Sequence, residues 1–131
     1  MPVRDAVPGD LDELDVLADL MVSSDWRCDA SVSRPSRAQI EAWLDGRHGT
    51  HLFVIETLGN IEAAIVHRAA RVKWLILERK LGLLLRIVQL AQAVFDREGD
   101  CWGTVRDDAA RVDIRGDGRF RFVGDRINYE G

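Results

Sequence analysis

Val72-Lys-Trp-Leu-Ile-Leu-Glu-Arg-Lys-Leu-Gly-Leu-Leu-Leu-Arg86 is the stretch whose reading decides the fold. It begins as an apolar, strand-like run and passes through Arg79-Lys-Leu-Gly82 into a helix. A strand, a short turn with glycine and a helix N-terminus make an anion site, because the first amides of a helix have no intrahelical acceptor. Six basic residues fall between Arg68 and Arg86 (Arg68, Arg71, Lys73, Arg79, Lys80, Arg86), with Glu78 the one acid. A local basic patch on a chain of net charge −4 suits a small polyanion better than a nucleic acid, which favours a domain basic overall. An ordinary strand-to-helix connection with a solvated basic rim accounts for the same residues.

Working outward, Leu83 to Phe95 has helical period, with Leu84, Ile87, Val88, Ala91, Val94 and Phe95 inward and Arg86, Gln89 and Asp96 outward. Gly99 closes this helix, and Cys101 to Val105 reads as a strand. Strand 71–78, helix 82–98 and strand 101–105 therefore form a βαβ unit, expected to be right-handed with parallel strands. Ligands of open sheets lie beyond the carboxyl ends of the strands, which points to the Arg79–Leu84 turn.

Before this unit, Pro2 to Val7 is β-compatible and Pro8-Gly-Asp10 breaks it, offering Asp10 as a helix cap. Leu11, Leu14, Leu17, Leu20 and Met21 then recur at helical spacing, and residues 23–35 read as a loop. Ser36-Arg-Ala-Gln39 has capping-box spacing ahead of Ile40, Trp43 and Leu44, with Gly46 as the stop. Residues 51–57 and 61–67 are strand-like and flank the hairpin turn Leu58-Gly-Asn60. After the unit, Asp107 to Ile114 reads as a short helix, and Arg119 to Tyr129 as a strand with Gly124 at a turn or bulge. The whole is one domain over 1–131, α+β or mixed α/β, of order β-α-α-β-β-β-α-β-α-β.

Composition narrows the function classes. Apolar content of 47% and charged content of 31% describe a globular protein, and no apolar run reaches membrane-spanning length. Met-Pro-Val-Arg-Asp has no signal-peptide character, and Cys28 and Cys101 do not form a disulfide framework, so a cytoplasmic location is expected. Cys28, His48 and His51 lack the paired spacing of a zinc site, and no metal is expected. Cys101 reads as an apolar filler, His67 as structural, Glu56 and Glu62 as solvent-facing, and Trp43 and Trp74 as core.

Four segments carry a family resemblance: Arg79-Lys-Leu-Gly82-Leu-Leu84, Val105-Arg-Asp-Asp108, Gly118-Arg-Phe120-Arg-Phe-Val-Gly124, and the opening Val3-Arg-Asp-Ala with Gly9-Asp10-Leu11. In this order the chain resembles a degenerate member of the GNAT superfamily of acyl-CoA-dependent N-acetyltransferases, whose loop reads Gln/Arg-x-x-Gly-x-Gly/Ala. The resemblance implies a central mixed sheet flanked by helices, with acetyl-CoA lying between two parallel strands. Backbone contacts then fall to Leu75 and Leu77, and the diphosphate to Arg79, Lys80, Leu81, Gly82, Leu83 and Leu84, with Lys80 or Arg86 adding charge. Glu78, at the end of the strand, is the candidate base acting through a water, and surface pairing with Arg79 or Lys80 is its structural alternative. Trp26 would line an acceptor pocket for a small amine or a protein amino group. Pairing into a homodimer through the C-terminal strands is common in the family; neither nucleic acid nor membrane is implied as a partner. The chain departs from the pattern at Leu84, where a small residue is usual, and near Arg115, where members carry a thiolate-protonating tyrosine; Tyr129 is its only tyrosine. A catalytically inactive binding, regulatory or assembly protein on the same fold, of the kind phages encode, is the rival reading.

Overall fold

The computed structural model describes residues 3–24, 35–77, 83–106, 110–114, 120–124 and 127–130. They form an α+β protein with two antiparallel sheets and three α-helices among the described residues. The first sheet holds β1 (Val3–Asp5), β2 (Thr50–Thr57), β3 (Asn60–Arg68) and β4 (Arg71–Leu77) in sequential order. The helices are α1 (Leu11–Ser24), α2 (Arg37–Leu44) and α3 (Leu83–Glu98). The second sheet is a meander of β5 (Gly103–Arg106), β6 (Ala110–Ile114), β7 (Phe120–Gly124) and β8 (Ile127–Glu130).

The first sheet follows from its turns. Leu58 and Gly59 both have positive φ, +52° and +81°, which makes the two-residue type I′ connection whose twist matches paired strands. The β3 residues Ala63 to His67 are buried in unbroken succession, so both faces of the sheet are covered. Helices α1 and α2 pack on β2–β4, while α3 packs on β1–β3. Leu14, Ile40, Ile55, Ile65, Leu75, Ile76, Ile87 and Leu90 are the largest fully buried side chains. Trp74 is buried against the partly buried Trp43, their centroids 6.2 Å apart. Glu13 reaches from α1 to accept the Ile61 amide at 2.9 Å, fixing the helix to the start of β3.

Helix boundaries obey local chemistry. The Ser36 hydroxyl accepts the Gln39 amide at 3.1 Å and the Gln39 side chain accepts the Ser36 amide at 2.9 Å, the reciprocal capping box expected there. Gly46 and Gly99 stand just beyond α2 and α3 with φ near +74° and +80°. Asp10 does not cap α1 as expected. It lies in a single 3-10 turn, Pro8–Asp10, and its carboxylate accepts the Val7 amide at 2.8 Å. Leu20 also departs from the expected stripe; it is exposed, and among the described side chains of α1 the buried ones are Leu14, Leu17 and Ala18.

The C-terminal third differs from the expected order. Residues 110–114 form β6 instead of a helix, and the single expected strand over 119–129 is the hairpin of β7 and β8. Val112 stands opposite Val105 on one side and Phe122 on the other, so pairing along both edges overrides the weak local helix preference. Among the described residues the expected parallel βαβ unit is reduced to one parallel bridge, Arg71 with Trp102, through Val72 N–H to Trp102 O at 2.8 Å and Trp102 N–H to Ala70 O at 2.9 Å.

Candidate functional site

Strand β4 and helix α3 present the two sides of the corner that the sequence singles out. Leu75 is fully buried, so its side chain belongs to the core. Leu77 ends β4 opposite Ala63, and Leu83 and Leu84 open α3. Glu78, Arg79, Lys80, Leu81 and Gly82 lie outside the described residues, as do Trp26, Cys28 and Arg115. On its other side β4 is bridged to the start of the second sheet at Arg71–Trp102; beyond that no ladder joins β4 and β5 among the described residues.

Of the described basic residues, Arg71 lies away from this corner and Arg86 is paired within the protein. Seven residues of extended β4 separate Arg71 from its C-terminal end by about 20 Å. Arg71 lies instead over the exposed Trp102 ring, 5.3 Å from its centroid. Arg86 is not outward and solvated but partly buried, its guanidinium 2.8 Å from Glu62 Oε2. Glu62 is the extra residue where the β2–β3 register shifts between Ile55 and Glu56, and the bulge turns its carboxylate toward α3. Gln89, also expected outward, keeps a buried Oε1 with no partner among the described residues.

Two other polar constellations assemble around the first sheet, neither apparent from spacing alone. In the first, Arg4 grips Asp10 through both terminal nitrogens at 2.9 and 3.0 Å, and its Nε donates to Glu56 at 2.6 Å. Asp10 is 6% exposed, and the Arg4 guanidinium holds its carboxyl below the usual range against the opposing effect of burial. Glu56 is thus paired and not merely solvent-facing. A shallow hollow of about 420 Å³ opens beside this cluster, lined by Arg4, Glu56, Leu58 and Gly59.

In the second, His51 Nε2 stands 2.7 Å from Asp5 Oδ1, His51 Nδ1 stands 2.9 Å from His67 Nε2, and His67 Nδ1 stands 2.8 Å from the Ala69 carbonyl. His67 is completely buried and stacks on Phe53 at 5.7 Å. A β2–β3 hairpin counted from its turn places His51 opposite Val66; the bulge at Glu62 adds one residue and places it opposite His67. That single residue is what sequence reading misses. Cys101 is buried and its thiol is pushed up to about 12, chiefly by desolvation, so it acts as core filler and not as a nucleophile.

No protein-family model, curated protein or solved structure matches this chain. Among the described residues no helix is long and apolar enough to cross a membrane, and no group of three or more His, Cys, Asp or Glu is placed to hold a metal ion.

Proposed function

We propose that this chain binds acetyl-CoA in the manner of the GNAT acyltransferases and transfers the acyl group to a small amine or a protein amino group. The observation that carries the reading is the junction of the two sheets: a single parallel bridge, Arg71 with Trp102, lies near the N-terminal ends of β4 and β5, and among the described residues no ladder continues from it. A β4 edge without a ladder partner would be available to a pantetheine chain, and α3, whose first amides would meet the phosphates, is the next described element after β4. Backbone groups of Leu75, Leu77 and 79–84 then bind, with Lys80 supplying charge. Arg86, committed to Glu62, is withdrawn from that role. Transfer would be direct attack of the amine on the thioester carbonyl. Positioning supplies most of the acceleration, and Glu78 acts through water as the base.

A second reading, binding without transfer, is favoured by β6, which occupies the place where the family carries its tyrosine-bearing helix. Calorimetric titration with acetyl-CoA, followed by thiol release across an amine panel, separates the two. Binding with turnover is expected; binding without turnover selects the second reading, and no binding removes both. In Gly82→Val, with circular dichroism reporting an intact fold, a micromolar-range affinity is expected to fall at least tenfold, because a branched side chain blocks close approach of a phosphate to the backbone.

A further inference from the structure

The contacts from Asp5 through His51 and His67 to Ala69 have a proton count that does not balance with two neutral imidazoles. The string runs Asp5 Oδ1, His51 Nε2 and Nδ1, His67 Nε2 and Nδ1, Ala69 O, with three contacts of 2.7, 2.9 and 2.8 Å. Both ends are acceptors, so each contact needs its own proton, and two neutral rings carry only two between them. The third proton makes one ring an imidazolium against the Asp5 carboxylate. A fourth has no place, since the two inner nitrogens are only 2.9 Å apart.

We propose that Asp5, His51 and His67 form a one-proton clasp, in which a shared proton ties the edge strand β1 to β2, β3 and the β3–β4 turn. The central contact suits a hydrogen bond better than a metal: two imidazoles on one tetrahedral zinc would hold their nitrogens about 3.3 Å apart. Asp5 lies on the far nitrogen of His51, and the three groups do not converge on one point. Loss of the proton as pH rises leaves two lone pairs facing each other at one of the contacts, which must open. The Asp5 side, more exposed than the buried His67, is where it opens.

The surroundings bear on both rings. Burial pushes each below the ordinary histidine range; Arg97 adds to this, while Asp5 and Glu98 oppose it at His51, and the Ala69 carbonyl and Glu98 oppose it at His67. Phe53 closes the apolar side, edge-on to His51 and stacked on His67. The linkage sign follows. Unfolded, the two histidines bind two protons below about pH 6.5, whereas the folded clasp holds one. Stability from the pair is therefore lost as pH drops below that range, with one proton taken up on unfolding where the clasp is closed; above the clasp's step the Asp5 contact is open and protonation no longer changes stability. The pair titrates as a unit, not as two residues.

The test follows the imidazole nitrogens by ¹⁵N-edited NMR from pH 4 to 8 in the full chain and in Asp5→Asn. An asparagine amide donates to His51 Nε2, so the neutral string becomes fully bonded and no longer needs the extra proton. Expected are a single one-proton step shared by both rings, its proton affinity at least tenfold weaker in Asp5→Asn, and faster exchange of the Ala6 amide, bonded to Leu52 O, above the step. Asp5 is mostly exposed, so the variant is expected to fold. Two independent full titrations, an unmoved step in Asp5→Asn, or stoichiometric zinc added alone shifting both rings would each overturn the clasp.

Discussion

Leu58 occupies the first position of a type I′ turn at φ +52°, 96% exposed, where its side chain buries nothing. A branched residue in the left-handed region costs about 1–2 kcal/mol, and asparagine is the residue that best tolerates it beside glycine. Leu58→Asn is therefore expected to stabilise the fold by about 1 kcal/mol, read as a higher thermal midpoint with unchanged cooperativity; a lower midpoint would mean that Leu58 makes a contact the turn geometry does not reveal. Ala69, at φ +49° in the next turn, is a different case, because its carbonyl is held by His67 and the left-handed residue helps aim it. One residue of bulge, Glu62, likewise decides that Arg86 pairs within the protein and that His51 meets His67.

At the scale of elements, α2 shows how far local chemistry reaches. Its start is set by two reciprocal hydrogen bonds between Ser36 and Gln39, both encoded within four residues. Ser36→Ala leaves the Gln39 amide without that acceptor and is expected to cost about 1 kcal/mol, seen as a lower urea midpoint at constant slope. Elements of this kind were legible: the α2 cap, the Leu58–Gly59 turn and the stop at Gly99 all follow from neighbours in sequence. Strand β6 was not. Asp107 and Asp108 resemble a helix cap, but Val112 and Ile114 lie in register with Val105 and Gly103, a partnership that no local window contains. The candidate site divides the same way. Its βα order is readable, while the ion pair that withdraws Arg86 and the partner of His51 depend on a register shift set by pairing across the sheet.

At the scale of the molecule, the two sheets are joined by backbone hydrogen bonds at one place among the described residues, where Trp102 bonds to Ala70 and Val72. Gly103 is required there: a Cβ at this position would lie 3.0 Å from Val72 Cβ and 3.1 Å from the Val72 carbonyl oxygen, and a backbone oxygen cannot step aside as a side-chain tip can. Gly103→Ala is expected to destabilise by about 1–3 kcal/mol by forcing β5 away from β4. Amide hydrogen exchange separates the consequences. If the junction makes the two sheets one cooperative unit, amides of β3 and β7 lose protection together in the variant. If the second sheet depends on the junction more than the first, β5–β8 amides exchange faster while the Ala63–His67 core of β3 keeps its protection. The second outcome is expected, because β3 is buried between α1 and α3, whereas the meander meets β4 by hydrogen bonds at a single bridge among the described residues. Uniform loss of protection across both sheets would show that the packing between them, and not this bridge, holds β5 against β4.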